Sequence, residues 1–177
     1  MKTGERIITY WLCPAEPARR ELSAIIDELA ARFDAPVFEP HVTLFVTSAN
    51  QENPSAVVKK VVPGTRSYRL AIRALDYSDK FTKTLFVQFE PDLELSRFSE
   101  DLRRASAAPN DYELNPHLSL IYKEMDTETK RRLASSIALP FADVTFDRVK
   151  AVISPATISS REDVEAWRVV AEQELTG

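Results

Sequence analysis

The chain has 177 residues, of which 44% are hydrophobic and 28% are charged, and its formal net charge is −4. These values are typical of one globular domain and exclude an intrinsically disordered chain. The acidic balance argues against a broad basic face for long nucleic acid, and the single cysteine, Cys13, excludes an intrachain disulfide and a cysteine-based zinc site.

The first half of the chain is predicted to contain four strands and two helices, because stretches with a period of two alternate with stretches of helical periodicity. The strands are expected at residues 6–13, 41–47, 67–77 and 84–90. The longer helix follows Pro17 and places Leu22, Ile26 and Leu29 on one apolar face. A shorter helix is expected at residues 54–62, before a Pro-Gly break.

The second half is predicted to contain two helices, at residues 92–107 and 126–137. Its strands are expected at residues 117–122, 144–153 and 165–172. The halves, residues 1–88 and 89–177, then share the order helix, histidine strand, helix, strand, strand, which one further strand precedes in the first half. This order predicts one α+β domain over residues 1–177. We expect two antiparallel sheets side by side, related by a pseudo-twofold axis, with helices outside and a cleft at the centre.

The chain lacks the sequence signals of several other protein classes. No stretch approaches the roughly 18 apolar residues of a membrane span. The apolar run near the start is too short for a signal peptide, and three glycines are too few for a Gly-rich phosphate loop. We therefore expect a cytoplasmic monomer that binds neither a membrane nor long nucleic acid.

Both histidines of the chain lie in the same short motif. Residues 38–46 read Phe-Glu-Pro-His-Val-Thr-Leu-Phe-Val, and residues 114–122 read Leu-Asn-Pro-His-Leu-Ser-Leu-Ile-Tyr. A lone histidine at the start of a strand is usually structural. Two matching motifs that use every histidine in the chain are hard to explain by chance, so the pattern indicates a shared function.

The motif predicts how its side chains are arranged. Proline is tolerated at the first residue of a strand and favours extended backbone before it. Side chains alternate along a strand, so His41 and Thr43 share one face, as do His117 and Ser119. If the two strands lie across the pseudo-twofold axis, two imidazoles and two hydroxyls face one cleft.

Such a group of side chains is suited to in-line displacement at phosphorus. A neutral histidine takes a proton from water while a protonated one gives a proton to the leaving oxygen. The hydroxyls of Thr43 and Ser119 can donate hydrogen bonds to phosphoryl oxygens. The scheme requires no metal and no other cofactor. A metal site at His41 and His117 is the alternative, although no His-Glu-x-x-His motif or cysteine cluster accompanies them.

The paired motifs resemble those of the two-histidine phosphoesterase superfamily. Pro-His-Val-Thr-Leu, Pro-His-Leu-Ser-Leu-Ile-Tyr and the opening Tyr-Trp-Leu-Cys-Pro are most similar to its cyclic phosphodiesterase branch. This resemblance implies hydrolysis of nucleoside 2′,3′-cyclic phosphates or ADP-ribose 1″,2″-cyclic phosphate, within RNA metabolism. It also implies a product that keeps its phosphate on the 2′-oxygen or the equivalent oxygen of ADP-ribose.

The resemblance also implies roles for individual residues. It makes His41 and His117 the catalytic pair. It makes Thr43 and Ser119 the residues that donate hydrogen bonds to the phosphate. Tyr122 matches a tyrosine that lines the family's site, but alternation turns it away from His117 unless the strand bends or ends first. Trp11 matches an aromatic residue near the family's pocket, which could stack on a base or ribose, or belong to the core.

Alternatives remain at the level of the sequence. Four basic residues could help to hold phosphate, although each is more typical of a solvated surface charge: Arg69, Arg73, Lys83 and Lys123. An RNA-end phosphodiesterase or 2′,5′-RNA ligase-like enzyme of the same superfamily is a second possibility, against which the acidic composition counts. A non-catalytic module that binds a phosphorylated nucleotide is a third.

Overall fold

In a computed structural model, residues 4–177 are described, and they form seven β-strands and five α-helices. The strands are Arg6–Pro14 (β1), Val42–Ser48 (β2), Tyr68–Tyr77 (β3), Leu85–Phe89 (β4), His117–Ile121 (β5), Asp143–Pro155 (β6) and Arg168–Glu174 (β7). The helices are Ala18–Phe33 (α1), Pro54–Val61 (α2), Leu93–Ala105 (α3), Thr127–Ser136 (α4) and Arg161–Glu165 (α5). A 3₁₀ turn at Phe81–Lys83 precedes β4. Within the described residues, no helix has the length and apolar character needed to cross a membrane.

Capping side chains begin four of the helices. Asn53, Asp92, Asp126 and Ser160 each accept a hydrogen bond from the backbone N–H three residues later. The last of them starts α5, which the sequence analysis missed, because a strand was predicted from Glu165. Ser160 and Asp163 form a reciprocal capping box that favours a helical turn, so β7 begins only at Arg168.

The strands form one antiparallel sheet in the order β1-β2-β5-β4-β3-β6-β7, and β1 also pairs with β6. The α+β class is confirmed. The strands of the two halves are joined into one hydrogen-bonded sheet rather than two separate ones. At the centre, β2 and β5 meet at a single pair, Val42 with Leu118, so these strands separate on either side of it.

The pairing order has an internal symmetry. Exchanging β1, β2 and β3 with β4, β5 and β6 leaves every pairing among these six strands unchanged. In this pattern β4 belongs to the second set, whereas the predicted halves, residues 1–88 and 89–177, place most of β4 in the first. The division into these halves stays a prediction. The pseudo-twofold axis itself stays a prediction.

The hydrophobic core lies between the sheet and the long helices. Leu22 and Ile26 of α1 are buried in it, together with the aliphatic motif residues Val42, Leu44 and Leu118. This burial matches the alternation predicted for the motif. The opposite face of the strands is therefore left for the polar motif residues.

A β-bulge changes the alternation of β2 directly after the motif. Tyr10 pairs with Phe45, but Trp11 pairs with Thr43, so Leu44 is the additional residue. As a result, Leu44 and Phe45 are both buried, while Thr43 and Val46 both face the cavity described below. Simple alternation predicts the motif itself but not the residues beyond it.

We expect Leu118→Ala to lower the free energy of unfolding by about 2–5 kcal/mol, because it leaves a cavity under the junction of β2 and β5. Urea unfolding followed by circular dichroism measures the change. Val37→Ala is the matched control, because Val37 is 60% exposed. If Leu118→Ala is no more destabilising than Val37→Ala, Leu118 does not have the core position described.

Candidate active site

A cavity of about 260 Å³ opens on the face of the sheet opposite the core, and all four polar motif residues line it: His41, Thr43, His117 and Ser119. The antiparallel pair Val42–Leu118 explains this convergence. The register of that pair sets His41 opposite Ser119 and Thr43 opposite His117, on strands that separate on either side of it. The histidine strands from the two halves thus contribute to one cavity.

The two imidazoles are held in the same way. His41 Nδ1 donates to the carbonyl oxygen of Glu39 at 2.7 Å, and His117 Nδ1 donates to that of Asn115 at 2.7 Å. A carbonyl oxygen can only accept, so Nδ1 carries the proton in each neutral ring. This leaves Nε2 of each histidine as the nitrogen available for chemistry in the cavity.

The residues whose carbonyl oxygens accept from the histidines, Glu39 and Asn115, are both anchored by their side chains. The Glu39 carboxylate accepts from Lys150 Nζ on β6, with both oxygens at 2.8 Å. The Asn115 side chain accepts from Gln88 Nε2 on β4 at 2.8 Å. The orientation of each histidine is therefore linked to a neighbouring strand, which sequence reasoning did not anticipate.

The surroundings of His41 are aromatic. Its ring stacks on Trp11 with centroids 3.7 Å apart, and the rings of Phe38 and Trp167 lie at steep angles to it. Only 8% of the residue is exposed. Burial lowers the pKa of His41 from 6.5 to about 4; the Glu39 carbonyl opposes this shift and His117 adds to it.

The surroundings of His117 are more open and more cationic. The Phe86 ring packs against its ring in a T-shaped arrangement, with a centroid distance of 5.6 Å. Burial also lowers the pKa of His117, the Asn115 carbonyl opposes the shift, and the positive charges of Lys83 and Lys80 add to it. Both imidazoles therefore favour the neutral form in the free protein.

The two hydroxyls of the motif differ in their hydrogen bonding. Ser119 Oγ donates to the carbonyl oxygen of Thr82 at 2.7 Å, so its proton is already engaged. Thr43 Oγ1 donates to no group in residues 4–177, and its proton is directly available to a ligand. Ser119 must rotate away from Thr82 before it can donate to a phosphoryl oxygen.

Tyr122 lies on the wall of the cavity. Strand β5 ends at Ile121, so alternation no longer determines the direction of the next side chain. The Tyr122 ring stacks on Phe38 with centroids 4.1 Å apart. Burial raises the pKa of Tyr122, an effect that the Ser119 hydroxyl partly offsets. The phenol therefore keeps its proton at neutral pH and can act as a donor.

Trp11 also lines the cavity, but its position differs from that of an open stacking platform. One face contacts the His41 imidazole, and only 5% of the residue is exposed. The structure thus gives Trp11 a contact that orients His41. Its predicted contact with a base or ribose stays a prediction.

Trp167 is the main wall residue that the sequence analysis missed. It follows α5 and packs at steep angles against four rings that line or border the cavity: Trp11, Phe38, His41 and Tyr122. Its indole N–H is buried without a hydrogen-bond partner among the described residues. No local pattern marks Trp167, since it reaches the cavity from a segment more than 100 residues beyond His41.

The basic residues considered from the sequence lie in different places. Arg69 pairs with Asp143, and Lys123 Nζ donates to the backbone of Asp34, both away from the cavity. Arg73 lines a separate surface groove. Lys83 is the one that lies beside His117, with Phe86 between them. No group of three or more metal-ligating side chains occurs in residues 4–177.

Comparisons with known proteins agree on the family and the fold. The family model described as "Cyclic phosphodiesterase-like protein" matches residues 7–175. The cyclic phosphodiesterase of Arabidopsis thaliana is 21% identical over 169 residues, which are 93% of each protein. E. coli LigT in its apo form has a TM-score of 0.58 and 13% identity, covering 99% of this chain and 100% of LigT.

Two further solved structures share the fold. LigT complexed with 3′-AMP has a TM-score of 0.57 and 13% identity, covering 98% of this chain and 99% of LigT. Usb1 of Kluyveromyces marxianus has a TM-score of 0.52 and 12% identity, covering 96% and 97% of the two chains. At such identities these structures show similarity of fold alone.

We expect the His41 imidazole to titrate near pH 4 and below the His117 imidazole, because aromatic side chains exclude water from it. NMR of the imidazole C–H groups measures both midpoints, and His117→Asn assigns them because the chain has two histidines.

The same burial makes the stability of the protein depend on pH. In the unfolded chain His41 is protonated near pH 6.5, so the free energy of unfolding should fall as the pH drops from about 6.5 to 4. His41→Phe should remove this part of the pH dependence. A His41 midpoint at or above 6.5 would contradict the burial described.

Proposed function

The chain belongs to the cyclic phosphodiesterase-like protein family, and from this premise we propose that it hydrolyses a small cyclic phosphodiester with His41 and His117 as its acid–base pair. The family match supports phosphodiester hydrolysis as the class of reaction. The observation that carries the histidine mechanism is the presence of both imidazoles on one cavity wall, each with Nδ1 held by a backbone carbonyl.

The proposed substrate is a nucleoside 2′,3′-cyclic phosphate or ADP-ribose 1″,2″-cyclic phosphate. The name of the Arabidopsis thaliana relative supports a cyclic phosphodiester as the substrate. The modest volume of the cavity and the LigT structure with 3′-AMP support a small nucleotide. The aromatic wall around Trp167 suits a ribose or base, while the polar motif residues suit the phosphate.

In the proposed reaction, the Nε2 lone pair of one histidine takes a proton from water as the water oxygen bonds to phosphorus. On the opposite side of the phosphorus, the bond to the 3′-oxygen breaks. The Nε2–H of the other histidine, in its protonated form, gives its proton to that oxygen. The product keeps its phosphate on the 2′-oxygen. Because Nδ1 is fixed in both rings, either histidine is oriented for either role.

The proposed reaction needs one protonated imidazole, whereas burial lowers the pKa of both in the free protein. A bound phosphodiester carries a negative charge close to both rings, and such a charge raises the pKa of a neighbouring imidazole. In this proposal the substrate therefore promotes protonation of the acid on which its own cleavage depends.

The negative charge that develops on the phosphoryl oxygens requires hydrogen-bond donors. We assign this role first to Thr43, whose hydroxyl proton is available, and to Tyr122, which stays protonated. Ser119 joins them once its hydroxyl leaves the carbonyl oxygen of Thr82. Displacement of that hydrogen bond is the one rearrangement that the proposal asks of the motif residues.

A turnover screen tests the proposal. We expect hydrolysis of at least one of five substrates, the 2′,3′-cyclic phosphates of the four nucleosides and ADP-ribose 1″,2″-cyclic phosphate, with a 2′-phosphate or its equivalent as the product. The rate should be the same in EDTA as in its absence, because no proposed step uses a metal. Loss of activity in EDTA would indicate a metal enzyme, and saturable binding without turnover would indicate a binding module.

Replacing either histidine should strongly reduce turnover. We expect His41→Ala and His117→Ala each to lower kcat by roughly 10²–10⁴-fold, since each removes one proton-transfer group. The two losses should not multiply in the double variant, because the pair acts as a unit. Unfolding in urea serves as the control for folding, and full activity in a folded single variant would refute the mechanism.

A further inference from the structure

We propose that Lys83 and Lys80 form a second phosphate-binding subsite beside His117, which selects cyclic phosphates that carry a further phosphate group. The inference rests on the proposed function, since it concerns the substrate class of the same cavity. It depends on the position of the 3₁₀ turn at Phe81–Lys83 and on the positive charge that lysine side chains bring to the rim of the cavity.

Phe86 links the lysines to the motif. It pairs with Ser119 across β4 and β5, and paired residues of an antiparallel ladder point to the same face. The Phe86 ring therefore lies next to the reacting groups and packs against the His117 ring in a T-shaped arrangement. Lys83 Nζ lies over this ring, 4.3 Å from its centroid. A cation in this position is held by the ring face at the rim of the cavity.

The subsite is distinct from the position of the phosphate that reacts. That phosphate must lie between the two imidazoles, where Thr43 and Ser119 line the cavity. Lys83 instead packs on Phe86 outside the residues that form the cavity wall. A group held by Lys83 therefore belongs to another part of the same ligand.

The two lysines lack acidic partners, although the protein is acidic overall. Lys130 pairs with Asp79 and Lys150 pairs with Glu39, but Lys80 and Lys83 form no ion pair within residues 4–177. Burial and the charge of Lys80 lower the pKa of Lys83, and Asp76 is the acidic neighbour that opposes this. Two ammonium groups near each other are repelled, and a bound dianion would relieve this repulsion.

The turn that carries the lysines is held in place by hydrogen bonds. The Thr84 hydroxyl contacts the carbonyl oxygens of Lys80, Phe81 and Lys123 at 3.3, 3.0 and 2.9 Å. The buried Lys130 donates to the Ser78 carbonyl at 3.0 Å. Little ordering of the backbone is therefore needed when an anion binds, which favours affinity.

The ligand group that fits this subsite is a phosphate attached to the 5′ side of the ribose. A 5′-monophosphate and the diphosphate of an ADP-ribose derivative share this chemistry. A nucleoside 2′,3′-cyclic phosphate with a free 5′-hydroxyl lacks it. The structure thus predicts a preference between substrates that have the same reacting group.

The test compares kcat/KM for adenosine 2′,3′-cyclic phosphate with and without a 5′-phosphate, and for ADP-ribose 1″,2″-cyclic phosphate as the diphosphate case. We expect the wild-type protein to prefer the 5′-phosphorylated form over the 5′-hydroxyl form by roughly tenfold or more. Lys83→Met keeps an apolar stem over Phe86 but removes the charge, so this ratio should fall towards one. Lys83→Arg should largely retain it.

Lys60→Met is the matched control, because it makes the same change of net charge at an exposed position of helix α2 and should leave the ratio unchanged. The preference should also weaken as salt is added, since an exposed charge pair is screened. A wild-type ratio near one, or a ratio that Lys83→Met leaves intact, would overturn the subsite. Loss of the ratio in Lys60→Met as well would assign the preference to net charge.

A binding measurement separates the subsite from the proposed reaction. Both tryptophans line the cavity, so their fluorescence can follow titration with adenosine 2′-monophosphate and adenosine 2′,5′-bisphosphate. Tighter binding of the bisphosphate that is lost in Lys83→Met supports the subsite even if no cyclic phosphate is hydrolysed. In that case it is the proposed hydrolysis that fails. Equal binding of both ligands overturns the subsite whatever the activity.

Discussion

The hydrogen bond from each histidine Nδ1 to the carbonyl two residues earlier is the constraint on which the site depends. It is 2.7 Å long in both halves and leaves Nε2 as the ring nitrogen available in the cavity. The proline between the two residues favours the extended backbone that places the carbonyl beside the ring. Without this bond, an imidazole in a cavity could rotate or change tautomer, and the acid and the base of the proposed in-line reaction would not be positioned.

A symmetric pairing order thus supports two unequal halves of one site. The same motif and the same backbone contact occur twice, but His41 is enclosed by aromatic rings while His117 borders a cationic turn. Symmetry brings the two imidazoles together, and the asymmetry gives the cavity an aromatic end and a cationic end. A nucleotide also has an aromatic base at one end and anionic groups at the other, so the proposed ligand matches the two ends of the cavity.

Local patterns in the sequence were enough to predict the strands, the long helices and the presence of His41 and His117 in one cavity. They fail where contacts between distant segments determine the position of a residue. The bulge at Leu44 arises from how β2 meets β1, and Lys150 reaches Glu39 across 111 residues of sequence. Trp167 arrives at the cavity only because α5 redirects the chain before β7. The small helix has a readable signal in the sequence, the capping box at Ser160, but the residues after it have the composition of a strand.

The single pair at the junction of β2 and β5 has a consequence for association between molecules. Strands that separate expose backbone acceptors, and exposed acceptors are the usual starting point of edge-to-edge aggregation. Here side chains from the region of α3 cover them: Ser99 donates to Leu44, Asn110 to Val46 and Tyr112 to Thr43. The cavity can therefore stay open to a ligand without exposing those carbonyl oxygens to a strand from another protein.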